Sequence, residues 1–234
     1  MSPTIYVQNK SSQVSDADVA KMAAACSKQL AQHVAPAYGL AAVPVSFLPA
    51  GAPLPKGAAL ITVMDTLDDP QALGYHTEDA GSKVWGVVGT KAAMGQGAKA
   101  LVGPYAISSI LSHEVIELFA DARINLWADN GRGVRIAYEL CDPVENDFYI
   151  LDGVAVSSFV YPAWFDHLAA KTEHFDYLGH LSRPFTMTHG GYWVQEKAGT
   201  ESQKFGDRFP EWRKAAKQAE FSRARRRINR SQES

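Results

Sequence analysis

Apolar residues recur along this chain with two periods, and the strongest helical pattern spans residues 103–123, GPYAISSILSHEVIELFADAR. At about 100° per residue, Ile107, Leu111, Val115, Leu118 and Ala122 share one face. Ile116 and Phe119 widen that face until little surface is left for water. Pro104 sits where a first helical turn tolerates it, and no Gly or Pro interrupts the run from Tyr105 to Arg123. On the other side His113, Glu117 and Asp121 recur at i, i+4 and i+8, with Glu114 beside them. A helix this apolar is expected to be buried, and buried carboxylates need a cation, a proton or hydrogen bonds. A metal ion is the simplest common partner.

The rest of the chain alternates between the two periods. Residues 5–7 predict a short first strand. Ser15-Asp16-Ala17-Asp18 opens a helix whose apolar positions (Val19, Met22, Ala23, Cys26, Leu30) carry it to the neighbourhood of Val34, with Pro36 and Gly39 ending it. Strands are expected at 43–48 and 59–64, separated by a Pro/Gly-rich connection. Residues 73–76 and 83–88 flank an acidic, Gly-containing bend and predict a hairpin. After the long helix, residues 134–140 alternate as a strand that closes on YELCDPVE, where Glu139, Cys141, Asp142 and Glu145 crowd round a Pro-fixed turn. Residues 148–151 and 154–160 are further strand-like runs, and Tyr161-Pro162-Ala163-Trp164-Phe165 is read as core.

Composition bounds the function. The chain has 234 residues, 46% hydrophobic and 21% charged, with a formal net charge of -2. That suits one sizeable globular domain and gives no global field for nucleic acid. Cys26 and Cys141 make no disulfide framework. The Met-Ser-Pro-Thr start lacks a basic n-region and an apolar h-region, and no run is long enough to span a bilayer. The expectation is a cytoplasmic protein without membrane contact, with virion association left open. From Lys204 onward the character changes: residues 210–228 can form a helix bearing Arg213, Lys214, Lys217, Arg223, Arg225, Arg226 and Arg227. This basic tail reads as a solvated arm, or as a dock for nucleic acid or another polyanion.

The segment His113-Glu114-Val115-Ile116-Glu117 resembles the H-E-x-x-H helix of zinc metallopeptidases, the zincins, with Glu in place of the second His. The resemblance implies that His113 and Glu117 hold a metal on one helical face, while Glu114 polarises the water. The HExxE variant adds a negative charge and lowers softness, so zinc, manganese and iron all suit it. Zincins of the Glu-ligand type bring a third carboxylate from a later segment. Glu139 is the first choice, Asp142 the second and Glu145 the third, and Cys141 is read as a small buried residue. The order strand, helix, strands, edge hairpin, motif helix is similar to the N-terminal half of zincins. There the last strand before the helix is an open edge that pairs with extended peptide. HEVIELFAD, YELCDPVEND, VSSFVYPAWF and PFTMTHGGYW together are similar to a bacterial and phage protein group, over roughly residues 60–195. That likeness implies a zincin-like fold and names no substrate.

The expected fold is therefore α+β and zincin-like: a mixed sheet with an open edge strand packed on the motif helix. Residues 1–203 form that domain and 204–234 a basic helical extension. The expected function is a metal-dependent peptidase acting on a peptide or protein with metal-activated water. His113, Glu117, Glu139 and Asp142 are its metal residues, with Glu114 as general base and Tyr192 and His189 on the substrate side. Asp121 is expected to orient a ligand or cap the following turn. His76, His174 and His180 are read as ordinary loop or core histidines. The alternatives are a zincin-shaped binding or assembly protein whose metal is structural or absent, and, at the level of side chains, a simple His113–Glu117 helix-stabilising pair.

Overall fold

A computed structural model describes residues 4–68, 72–79, 81–211 and 214. It is α+β, built on a five-stranded mixed sheet in the order β2-β1-β3-β5-β4. The strands are β1 (Ile5–Asn9), β2 (Val45–Phe47), β3 (Ala59–Met64), β4 (Gly74–Glu78) and β5 (Val84–Gly89). β1 pairs in parallel with β2 and β3, and β3 pairs in parallel with β5. Only β4 runs antiparallel, in a hairpin with β5, and it closes the sheet on that side. β3, with the expected boundaries, is buried at Ala59, Ile61, Thr62 and Val63, as a strand covered on both faces must be. The strand that precedes the long helix, β5, was expected at the edge but lies inside the sheet. The edge on that side is β4, because the hairpin folds β4 outward while β5 pairs with β3.

Helix α1 (Asp16–Gln29) begins as its capping signal predicts: Ser15 is extended and its hydroxyl accepts from the Asp18 amide. Val19, Met22, Ala23 and Cys26 face the core. The helix does not stop at Pro36. A π-helical turn over Leu30–Val34, in which the Ala35 amide reaches back to the Leu30 carbonyl, leads into α2 (Ala35–Tyr38). This wider turn makes room for a proline ring that an α-helical ladder would reject. Gly39, at φ 62°, ends the run in the left-handed conformation.

Helix α3 (Thr90–Gly95) follows β5, and α4 (Ile107–Asp121) carries the central stripe. α4 starts later than Pro104 suggests. Gly103 and Tyr105 both have positive φ, so the chain turns there and helical geometry begins only after Ala106. α4 packs against β4, β5 and α1, and on its far side against β9 (Val154–Ser157). Ile107, Leu111, Val115 and Ile116 are fully buried. Burying each such side chain stabilises the fold by about 1.5–3 kcal/mol before entropy is counted.

Downstream, β6 (Trp127–Asp129), β7 (Arg135–Ala137), β10 (Tyr192–Lys197) and β11 (Thr200–Phe205) form a second sheet, ordered β11-β10-β7-β6. β7 covers only part of the strand expected at 134–140, because the chain leaves the ladder to form a single 3-10 turn at Asp142–Val144. β8 (Phe148–Leu151) pairs with β9 as a hairpin. Trp164 is fully buried, in the core as read from sequence. The domain boundary expected at residue 203 falls inside β11, and Phe209 packs on Tyr192 and Phe205 beyond it. Apart from Lys214, the basic extension past residue 211 lies outside the described residues, and so does the polyanion contact expected of it. Among the described residues no helix is long and apolar enough to cross a membrane.

Candidate metal centre

Three segments converge on one side of α4. β4 brings His76, the helix brings His113, Glu114, Glu117 and Asp121, and the stretch after β7 brings Glu139, Cys141, Asp142 and Glu145. The i,i+4 spacing acts as the helical period requires: His113 Nε2 lies 3.1 Å from Glu117 Oε2. The same nitrogen is 3.3 Å from Asp142 Oδ1, and Nδ1 is 3.9 Å from Glu145 Oε2. The Cys141 amide donates to Glu117 Oε1 at 3.2 Å, which ties the turn after β7 to the helix. Tyr192, at the start of β10, is buried with its phenol hydrogen-bonded to Asp142.

On the β4 side, His76 is 1% exposed. Its Nε2 lies 3.2 Å from the Asp121 carbonyl, which can only accept, so Nε2 carries the proton. Its Nδ1 lies 3.4 Å from Glu114 Oε2. Glu114 in turn rests against β4 at Gly74, where an added Cβ would meet Glu114 Oε1 at 2.8 Å. Only glycine leaves room for this carboxylate beside the edge strand. The Asp121 carboxylate caps the turn after the helix, accepting from the Asn125 and Leu126 amides at 3.1 and 2.9 Å.

Burial dominates the electrostatics. It pushes the Glu117 carboxyl up to about 8; His113 opposes this, while Asp142 and Glu139 add to it. For His113, burial alone would lower the imidazole. Glu117 and Glu145, with a hydrogen bond to Asp142, outweigh it and hold His113 well above the usual histidine range. Burial would likewise lower His76, but its hydrogen bond with Glu114 and the charges of Glu139, Glu114 and Glu117 raise it. The Cys141 thiol is pushed well up, first by burial, and so is the Tyr192 phenol, by burial and then by Asp142, Glu145 and Glu117. Both stay protonated at neutral pH.

Ligand-type atoms of His113, Glu117 and Cys141 lie within 4.8 Å of one another; so do those of His76, Glu117 and Glu139, and those of His113, Asp142 and Glu145. Asp142 Oδ1 is buried and takes no hydrogen bond. Imidazole nitrogen with several carboxylate oxygens is a donor set that fits a divalent cation. Of the expected residues, His113 meets both Glu117 and Asp142. Glu139 also meets Glu117, but in the group on the His76 side. His189 is 66% exposed in its side chain and pairs with Asp207 at 2.6 Å, outside the buried group.

His76, read from sequence as an ordinary loop or core histidine, is buried in the core and lies in one of these ligand-type groups with Glu117 and Glu139. The available signal was the alternation Gly74, His76, Glu78, which puts these residues on one face of a strand. Comparisons with family models, curated proteins and solved structures give no match to this chain.

Proposed function

We propose that the chain is a zincin-like, metal-dependent peptidase. The observation that carries this reading is the arrangement round α4. His113 and Glu117 pair one turn apart, while the neighbouring Glu114 lies against Gly74 of the antiparallel edge strand. His113 and Glu117, with Asp142 or Glu139, would hold zinc or manganese, which when bound supplies Lewis acidity to water and to the scissile carbonyl.

The chain's own residues do the rest. An extended peptide adds to β4 through main-chain hydrogen bonds, which brings its carbonyl over Glu114. A Glu114 oxygen takes the proton of the attacking water as the new C–O bond forms. It then returns that proton to the amine nitrogen as the C–N bond breaks. His76, anchored by the Asp121 carbonyl, holds Glu114 in place through its other nitrogen. Tyr192, kept neutral, donates its O–H to Asp142 and so steadies that carboxylate beside His113.

A second reading is favoured by burial: His113 is 8% and Glu117 4% exposed, as in a closed structural site. In that case the protein is a zincin-shaped binding or assembly protein. One experiment separates the two. Metal-saturated protein is incubated with a proteome-derived peptide pool, and cleavage is read by mass spectrometry with and without chelator. Cleavage that chelator abolishes and zinc or manganese restores supports the peptidase. Metal fully bound with no cleavage of any peptide supports the binding protein.

A further inference from the structure

The ligand-type groups gathered round α4 outnumber the four that a single zinc site takes. Glu114, Glu117, Glu139 and Asp142 are buried, and the Glu145 side chain is only 7% exposed. Ion pairs run from Glu114, Glu117, Asp142 and Glu145 to two imidazoles, His76 and His113. Two sets of donors share Glu117: His113 pairs with it at 3.1 Å, and ligand-type atoms of His76 and Glu139 lie within 4.8 Å of it and of each other.

We propose that the protein binds two divalent ions, with the Glu117 carboxylate shared between them. The first lies among His113, Glu117 and Asp142, the second among His76, Glu117 and Glu139. The proposal rests on the metal-centre reading and extends it from one ion to two.

The geometry of His76 carries the second site. Its Nε2–H is committed to the Asp121 carbonyl at 3.2 Å, which aims the Nδ1 lone pair of the neutral ring toward the carboxylates. Metal-binding histidines are commonly oriented this way, by a hydrogen bond from the nitrogen that does not bind. In the metal-free chain Nδ1 is hydrogen-bonded to Glu114 at 3.4 Å, and an ion held by Nδ1 takes the place of that bond. Glu117 is common to the His76–Glu139 group and to the pair with His113. A carboxylate has two oxygens and about four lone-pair sites, enough to serve an ion on each side while accepting the Cys141 amide.

The test is the number of ions per chain. Full-length protein purified without chelator is equilibrated with excess manganese, desalted and analysed for metal. Two ions per wild-type chain, falling to one in His76→Ala and below one in Glu117→Gln, is the expected result. One ion per wild-type chain, unchanged in His76→Ala, overturns the second site and leaves the single-metal reading standing. No ion at all overturns both. Because a buried substitution can unfold the chain, manganese-loaded wild type is also examined by electron paramagnetic resonance. An exchange-coupled spectrum supports the shared carboxylate, and a spectrum of isolated ions overturns it.

Discussion

Helices α1 and α4 have almost the same length, 14 and 15 residues, and pack against each other in one core. They use it in opposite ways. α1 is a conventional surface helix: Val19, Met22 and Cys26 face inward, while Asp16 and Lys21 stay in water and Ser15 caps its first turn. α4 is buried on nearly every side, including at His113, Glu114, Glu117 and Asp121. Burial that stabilises α1 is therefore a cost at four positions of α4. Buried ionisable groups of this kind mark α4, not α1, as the candidate site.

The largest effect expected to test that contrast is on chemistry. Glu114→Gln keeps the volume beside Gly74 and removes the proton acceptor. Hydrolysis of any responsive peptide should fall by about 10²- to 10⁴-fold while metal content stays unchanged. Unchanged cleavage would remove Glu114 from the mechanism, and lost metal would make it a ligand.

The apolar faces should behave alike where the polar stripe does not. Met22→Ala in α1 and Leu111→Ala in α4 each remove a fully buried side chain. Each should lower unfolding free energy by about 2–5 kcal/mol. Chemical denaturation measures this, and the Met22 variant should keep its full metal complement. Loss of metal from it would mean that the two faces are not separable.

pH sharpens the comparison further. In metal-free protein Glu117 is raised from 4.5 to about 8, and His113 is raised from 6.5. Both bind their proton more tightly folded than unfolded. Their contribution is therefore fully present below the unfolded values and declines as pH rises from about 4.5 through 8 and beyond. The melting temperature of metal-free protein should fall across that window. Added zinc should raise it more as pH increases, since the ligands must lose their protons to bind. A metal-free melting temperature that rises with pH would contradict the assigned environment.

The smallest effect belongs to α1. Ser15→Ala removes the side-chain acceptor of the Asp18 amide and should cost about 1 kcal/mol, with metal content and cleavage untouched.

Local pattern carried much of this. The Ser15 cap, the β3 boundaries, the β4–β5 hairpin and the His113–Glu117 pair depend on neighbours within a few residues, so periodicity and capping chemistry suffice to read them. The start of α4 escaped, because Tyr105 adopts a left-handed conformation that its residue type does not advertise. So did the passage of α1 beyond Leu30, where a π-helical turn accommodates Pro36.

The sequence by itself determined that one buried helix would carry His113, Glu117 and Asp121 in a stripe bordered by Glu114, and that such buried carboxylates need a cation, a proton or hydrogen bonds. Only the tertiary structure decided which other residues meet it. Strand order moved β4, not β5, to the sheet edge and so delivered Gly74 and His76 to Glu114. The early end of β7 sent Asp142 to His113 and left Glu139 on the His76 side. Those meetings join residues about 30–60 positions apart in the chain, and no local period encodes which side of a helix a distant segment will reach.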